Sequence, residues 1–450
     1  MSKTTRKKLV SRQIGAVSVL EVLRSLRLAR LVNEACDSAC PVAYESLMPP
    51  AQCATTGGLV ESLVLGQIAF GGDLSAGMPL LANDDVIKHL RIDFPSPATI
   101  NAFCTWLANQ PWESRFKAGL RKAFRGLVAA VWDAWARPWP KKVTMELVVL
   151  PQRGDPPHVE WSVPVTDQLP ALVFCVWREA NLVLAGGMVR NCEEIRSIIS
   201  AAWDAVPAGR LGKLFRAGRV CCNESILRFL SAQRIPFKVK LADREIQKSS
   251  PVGFMVSIPP DRIPHQSLPS SAWHNYQNLL VPNLHFAWLG SDEELNPFRG
   301  TGLGCLLLRA GTPHSTEAIC AACVTNKWSV PRSLADHFLR GRREVNQALL
   351  DMLLLTSSAS ADLLYDRATG GRLLLACLAH NVCTAIRVTC FPDDRHVPLT
   401  RIRSSFVQIL GEKLSERKSG YFRVSNPAAA ALYQKVQAKF RTPEIPRFRG

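Results

Sequence analysis

About a third of the way along the chain, the hydrophobic pattern changes from helical spacing to strand-like runs. Upstream, apolar residues between Ala16 and Val32 follow helical spacing, and residues 112–136 form a basic amphipathic stretch that stops before Pro138. Downstream, Val143–Leu150 is rich in β-branched residues, and strand-like and helical stretches then alternate. Such an order is typical of a mixed α/β sheet. We therefore predict an all-helical N-terminal domain over residues 1–140, followed by an α/β core.

The elements of the core are predicted individually from the same patterns. Strands are expected at His158–Val165, Leu172–Trp177, Lys213–Val220, Phe237–Leu241 and Ala318–Thr325, and helices at Glu193–Ala205, Glu224–Gln233, Ser333–Leu355, Leu373–Ile386 and Ser404–Leu414. Residues 245–315 are rich in Pro and Ser and are interpreted as a β-rich insertion. The first part of the core then covers residues 141–244, the last part residues 316–392, and a basic tail residues 393–450.

The formal net charge of +18 points to a polyanionic partner. A surplus of this size attracts nucleic acid by counterion release and steering, with an anionic membrane surface as the second candidate. The N-terminal arm carries Lys7 and Lys8 among five basic residues and no acid before position 13. It could contact a phosphate backbone, or it could be a solvated terminus.

The chain contains 14 cysteines but no convincing metal-binding pattern. Cys320 and Cys323 have the CxxC spacing, yet no second pair of ligands lies at a suitable distance. No secretory signal is visible, so we expect a reducing cytoplasm and buried structural thiols. No apolar run in the sequence approaches the ~20 residues of a membrane span, and we expect no membrane partner.

Several short motifs lie in order between about residue 14 and residue 390. They are Gly71-Gly72, Asp84-Asp85, Phe94-Pro-Ser-Pro-Ala-Thr99 before Phe103, Val324-Thr325-Asn326, an Arg-rich helix and Leu378-Ala-His-Asn381. In their order and spacing, these motifs resemble the DDE transposases of bacterial insertion sequences. The resemblance implies an RNase H-like mixed sheet flanked by helices. It also implies double-stranded DNA, at transposon ends, as the partner, and a homodimer acting on paired ends.

In that family three acids hold two Mg²⁺ ions, which activate the nucleophile and stabilise the leaving oxygen during DNA cleavage. One acid lies on the first strand, one follows a later strand, and one lies on the long C-terminal helix. Around the third acid, the family has Tyr, Arg, Glu and Lys at fixed spacing. At the corresponding positions this sequence has Leu339, Arg342, Asn346 and Leu353, so only the arginine is the same. Neither Glu344 nor Asp351 lies on the same helix face as Asn346, so neither replaces the acid.

The other two acid positions are also neutral. The first falls on Val148, with Glu146 two residues before it on the same strand face as the one plausible surviving acid. The second falls on Gly218, after Phe215-Arg216-Ala217. No intact catalytic residue and no cofactor are therefore expected. The alternative is a misaligned register in which other acids, such as Asp155, Asp167 or Glu317, hold Mg²⁺.

Three functions remain open on the sequence. The first is a transposase-family protein that binds DNA but cannot cleave it, located in the cytoplasm with the nucleoid. Its predicted DNA-binding residues are Arg340, Arg342, Arg343, Arg216, Lys7 and Lys8. The second is an active, Mg²⁺-dependent DDE transposase with displaced acids. The third is a non-enzymatic interaction protein or a decaying gene product.

Overall fold

A computed structural model describes most of the chain, and the statements below refer to these residues. They are residues 9–36, 42–47, 55–90, 92, 94–110, 114–134, 143–150, 170–207, 213–241, 244–259, 262–263, 267–276, 284–310, 319–327, 335, 342–356, 368–392, 394, 396–414, 421–442, 445 and 447–449. The α-helices are α1 Ile14–Ser25, α2 Leu28–Cys36, α3 Thr56–Phe70, α4 Leu74–Ala82, α5 Pro97–Asn109, α6 Arg115–Ala134, α7 Cys192–Ala205, α8 Glu224–Ala232, α9 Arg342–Thr356, α10 Thr369–Cys390, α11 Leu399–Ile402 and α12 Pro427–Phe440.

Helices α3, α4 and α5 begin where a side chain accepts a hydrogen bond from one of the first free backbone N–H groups. Thr55 caps α3, and Asp73 caps α4. Ser96 caps α5, whose first position is Pro97, as the sequence predicts. Such caps satisfy donors that the helix itself leaves unpaired. Helix α3 is buried along nearly its whole length, so it forms the centre of this helical region.

The core of the molecule is a nine-stranded sheet. Its strands, in chain order, are β2 Val143–Val149, β3 Ala171–Trp177, β4 Leu182–Val189, β5 Lys213–Ala217, β8 Gly253–Ile258, β9 His274–Tyr276, β10 Leu284–Leu289, β11 Gly304–Ala310 and β12 Ile319–Thr325. The spatial order is β4-β3-β2-β5-β8-β12-β11-β10-β9. Strands β6 Arg234–Leu241 and β7 Arg244–Pro251 form a separate hairpin. The mixed α/β class is therefore confirmed.

Strand direction divides this sheet into two parts. Strands β2, β3 and β4 are antiparallel neighbours, whereas β2, β5 and β8 are parallel. Helix α7 connects β4 to β5, and α8 follows β5. Strands β12, β11, β10 and β9 then extend the sheet in antiparallel fashion. The segment 245–315 thus contributes strands β8 to β11 to the same sheet. The predicted strand His158–Val165 lies outside the described residues.

Helix α10 is the buried helix beside the outer edge of this sheet. Its Asn381 side chain accepts a hydrogen bond from the Val183 N–H and donates one to the Val183 carbonyl, each at 2.8 Å. These bonds satisfy backbone groups of edge strand β4. By length and composition α10 could cross a membrane, but 89% of its apolar window is buried inside the protein. That burial is what the core helix of a folded protein shows.

The C-terminal part joins the N-terminus in a second sheet. Strands β1 Leu9–Ser11, β13 Gly411–Leu414, β14 Tyr421–Val424 and β15 Arg447–Arg449 lie side by side, and α12 packs on β14 and β15 and against α1. The prediction of a helix over Ser404–Leu414 is wrong beyond Val407. Gly411–Leu414 is a strand because its pairing partner is β1, at least 400 residues away, which local periodicity cannot reveal.

Candidate functional site

Strands β2 and β5 bring a carboxylate and a guanidinium together inside the sheet. Their parallel register places Glu146 opposite Arg216. One Arg216 Nη1 lies 3.7 Å from Glu146 Oε2, and the two side chains are only 4% and 2% exposed. Burial makes each charge costly without the other. Glu146 is therefore the acid on this strand face, as predicted, but it is paired with a cation.

Val148 and Gly218, the first two acid positions predicted from the resemblance, lie next to this pair. Val148 is on the same face of β2 as Glu146 and is fully buried. Leu147 pairs with Ala217, so Val148 and Gly218 follow as the next positions along the two parallel strands. Gly218 directly follows the strand and precedes a short helix at Arg219–Cys221. Neither side chain can bind a metal ion.

Asn346, the third acid position predicted from the resemblance, lies in α9. This helix packs against β2 and the short helix Arg178–Ala180. The Asn346 side chain lies outside the described residues, as do those of Arg342, Arg343 and Glu344 in the same helix. The structure thus packs α9 against β2 but says nothing of how this amide is oriented.

A second carboxylate on this side of β2 was not found by sequence reasoning. Glu179, in the helix Arg178–Ala180, accepts hydrogen bonds from the Thr144 N–H at 2.8 Å and from its hydroxyl. Thr144 shares the face of Glu146. The contact joins residues 35 positions apart, so only the β2–β3–β4 fold brings them together. It secures the start of β2 rather than presenting a carboxylate for a metal.

Helix α9 is attached to α10 by a buried ionic cluster around Asp351. Asp351 Oδ2 lies 3.0 Å from His380 Nδ1 and accepts a short hydrogen bond from Arg387 Nη2, and all three side chains are at most 1% exposed. Gln347 Nε2 donates to the other carboxylate oxygen at 2.8 Å. Burial alone would raise the pKa of Asp351, but the Arg387 guanidinium and His380 hold it below its ordinary value. Asp351 is thus an ionised anchor of α9.

His380 extends this cluster to the central sheet. Its Nε2 lies 3.1 Å from the Asn181 carbonyl oxygen, which also accepts from the Thr384 hydroxyl at 2.9 Å. A carbonyl only accepts, and Asp351 is an anion, so both contacts are hydrogen bonds when each ring nitrogen carries a proton. Asn181 adopts a left-handed conformation with φ 50°, where the chain turns into β4. The cluster therefore fixes α9, α10 and β4 relative to one another.

The Arg403 side chain and the backbone of Gly71 hold the C-terminal ends of α3 and α9 together. Arg403 donates to the carbonyls of Ile68, Gln67 and Leu354 at 2.9, 3.1 and 3.4 Å. A cation at helix C-termini satisfies free carbonyls and complements the helix dipole. Gly71, with φ 81°, completes the contact because a Cβ there would lie 2.5 Å from the Leu354 oxygen.

The structure describes the side chain of only some of the predicted DNA-binding residues. Arg216 is 3% exposed and pairs with Glu146, so its side chain is not placed to hold a DNA phosphate, which corrects the prediction. Arg340, Lys7 and Lys8 lie outside the described residues, and so do the alternative acids Asp155, Asp167 and Glu317. Arg342 and Arg343 begin α9.

Within the described part of the chain, no three His, Cys, Asp or Glu side chains lie close enough to hold a metal ion together. Cys323 is a buried free thiol, and burial raises its pKa to about 12. In comparisons with known proteins, no protein-family model matches the chain, and no curated protein matches it.

Proposed function

We propose that the protein binds DNA through a core of the DDE transposase type and does not cleave it. The core is of the RNase H-like kind, with its acid positions occupied by Val148, Gly218 and Asn346. The observation that carries the proposal is the parallel register that sets Val148 beside Gly218, with α9 packed against the same strand β2 and the described carboxylates of this region already engaged.

The strand order supports the RNase H-like assignment. An RNase H-like sheet has three antiparallel strands followed by two parallel strands beside the first. The order β4-β3-β2-β5-β8, with β5 and β8 parallel to β2, follows this arrangement. Helices α7 and α8 occupy the expected connections, and the later strands extend the sheet before the long helix α9.

The electrostatics of the site support the loss of cleavage. A pair of Mg²⁺ ions needs several anionic oxygen ligands that are free to coordinate. Among the described carboxylates of β2, α9 and the helix Arg178–Ala180, Glu146 faces the Arg216 guanidinium, Glu179 binds Thr144, and Asp351 binds Arg387. A divalent ion at Glu146 would approach the guanidinium and would be repelled by it.

The net charge of +18 supports DNA as the partner. The logarithm of non-specific DNA affinity falls linearly with the logarithm of the salt concentration. The slope is about −0.9 for each phosphate that the protein neutralises. Arg342 and Arg343 begin the helix that packs on β2, and their charges add to this attraction.

The experiment measures binding of the full chain to duplex DNA over a range of salt concentrations. We expect linear plots of log affinity against log salt, and Arg342→Ala or Arg343→Ala should each reduce the slope by about 1. Arg228→Ala is the matched control, because Arg228 is exposed but pairs with Glu224 on α8. In the same preparations, supercoiled plasmid should stay intact with Mg²⁺ or Mn²⁺.

Two results would overturn the proposal. Metal-dependent nicking by the wild-type chain would establish the active transposase with displaced acids. Loss of all DNA retention at ~150 mM salt would leave a non-enzymatic interaction protein or a decaying gene product, because a chain with many phosphate contacts retains measurable affinity there.

A further inference from the structure

A two-stranded ribbon, formed by β6 and β7, stands apart from the rest of the fold. Each strand has eight residues, and they pair antiparallel along their whole length, from Arg234 opposite Pro251 to Leu241 opposite Arg244. Within the described part of the chain, β6 and β7 pack extensively only against each other. A two-stranded ribbon by itself is at best marginally stable in water. Contact with a partner would therefore stabilise it.

The base of the ribbon is anchored in the central sheet. The Val252 N–H donates to the carbonyl of Gln233, the residue that ends α8, at 3.2 Å. Gly253 then begins β8 and pairs with Leu214 near the start of the parallel strand β5. Gly218 follows the other end of β5. The ribbon therefore leaves the sheet at the end opposite to Gly218 and forms a separate surface.

The sequence of the ribbon is basic and alternates in character. Residues 234–251 contain five basic and two acidic residues, so this short segment carries +3 of the net charge of +18. Arg234, Lys238 and Lys240 stand at even positions of β6, and such positions share one face of a strand. The positions between them are apolar: Ile235, Phe237, Val239 and Leu241. One row of β6 is thus basic and the other apolar.

The dimensions of the ribbon match one groove of duplex DNA. Eight residues at about 3.4 Å each span about 27 Å, and the two strands lie about 4.8 Å apart. The major groove of B-DNA, about 12 Å wide, admits a two-stranded β-ribbon, whereas the minor groove is only about 6 Å wide. Cations at the rim of a groove neutralise phosphates and release counterions. Shape and charge therefore favour the same partner.

We propose that the β6–β7 ribbon enters the major groove of duplex DNA, with Arg234, Lys238 and Lys240 as its cationic row. The inference rests on the proposed DNA binding and adds a second contact surface, at the other end of the sheet from Gly218. Lysine also protects exposed strand edges from pairing with other chains. A role in DNA binding differs from edge protection because it makes these charges contribute to DNA affinity.

The experiment measures the affinity of the full chain for a short DNA duplex over a range of salt concentrations. The double variant Lys238→Gln, Lys240→Gln should reduce the slope of log affinity against log salt by about 1 for each lysine. The matched control is Lys435→Gln, Lys439→Gln. It removes the same charge from two exposed positions of α12 and should leave the slope unchanged.

A gain of charge tests the register of the ribbon. Gln247 lies opposite Lys238, so Gln247→Lys adds a cation to the same row and should steepen the slope by about 1. Two dyes then identify the groove. Methyl green, which occupies the major groove, should compete with the wild-type chain, and netropsin, which occupies the minor groove, should not.

Three results would overturn the proposal. The first is an equal slope for the wild type and the Lys238, Lys240 double variant. The second is competition by netropsin but not by methyl green. The third is a double variant that loses binding to phosphatidylserine vesicles but not to DNA, which would make a membrane the partner of the ribbon.

These outcomes are separable from those of the proposed function. If the wild-type chain binds DNA and the ribbon variants behave as it does, the ribbon is refuted while DNA binding stands. If the wild-type chain does not bind DNA, the proposed function fails, and the role of the ribbon fails with it.

Discussion

At the scale of single residues, the Glu146–Arg216 pair decides what the central strands can do. Its 3.7 Å separation and near-complete burial mean that neither charge is compensated by water. Removing one partner of such a pair leaves an isolated buried charge, whereas replacing both by apolar groups removes the desolvation penalty.

This asymmetry gives a stability prediction. Arg216→Met alone and Glu146→Leu alone should each lower the free energy of unfolding by about 3–5 kcal/mol. The double variant should recover most of that loss, and urea unfolding of the four proteins measures it. The matched control is the exposed pair Glu224–Arg228, whose side chains are 77% and 79% exposed. There, Glu224→Ala should cost less than about 1 kcal/mol. Additive losses at 146 and 216 would show that the two charges do not depend on each other.

The residue scale also shows how far sequence reasoning reaches. Strand alternation places Glu146 and Val148 on one face, and the structure confirms the strand. Arg216 was interpreted as a DNA contact because nothing local reveals that a parallel strand 70 residues later lies opposite Glu146. Asp351 was considered only as a substitute acid, since its partners His380 and Arg387 lie 29 and 36 residues away.

At the scale of elements, the contact between α1 and α12 contains a buried carboxyl group. Glu21 on α1 is fully buried and accepts a long hydrogen bond from the Thr442 N–H, just beyond α12. Burial raises its pKa from 4.5 to about 7, although Gln437, Thr442 and Arg441 oppose the change. The folded state therefore favours the protonated form.

The sign of the pH dependence follows from linkage. Between pH 4.5 and about 7 the folded chain holds a proton at Glu21 that the unfolded chain has released, so stability falls as pH rises through this window. Glu21→Gln lacks this titration and should be more stable than wild type by about 1–2 kcal/mol at about pH 8, with little difference at about pH 5. Chemical unfolding at both pH values measures the difference.

The exposed Glu34, 57% accessible beside Arg30, provides the control for this prediction. Glu34→Gln should change stability by less than about 0.5 kcal/mol at either pH. An effect of Glu21→Gln that is the same at both pH values would mean that the carboxyl group does not titrate in this window.

Elements whose signals are local were predicted well, and those fixed by distant partners were not. Ser96 and Pro97 mark the start of α5 in the sequence, and the structure has the cap and the helix there. Gly411–Leu414 reads as the end of a helix, yet pairing with β1 makes it a strand. Side chains such as Asn381, which binds the backbone of β4, carry no local signal of that role.

At the scale of the whole molecule, the core sheet sets the end of β5 beside β2, and α9 packs against β2. The sheet fixes Val148 beside Gly218, and the Asp351 cluster ties α9 to α10 and β4. The mixed α/β class was predictable because strand and helix periods alternate along the chain. The extension of the sheet by β9, β10 and β11 was not, since the Pro- and Ser-rich segment resembles an insertion.

We propose that Val148, Gly218 and Asn346 occupy the three acid positions of a DDE transposase, lie close together and lack charge. The most direct measurement is the thermal unfolding temperature as a function of Mn²⁺ concentration, for wild type and for a triple variant that carries Val148→Asp, Gly218→Asp and Asn346→Glu. The control is the double variant that carries only Val148→Asp and Gly218→Asp. Metal that binds the folded state raises the unfolding temperature with concentration. We predict such a rise for the triple variant, a smaller one for the control and none for wild type. A rise in wild type, or none in the triple variant, would contradict the account.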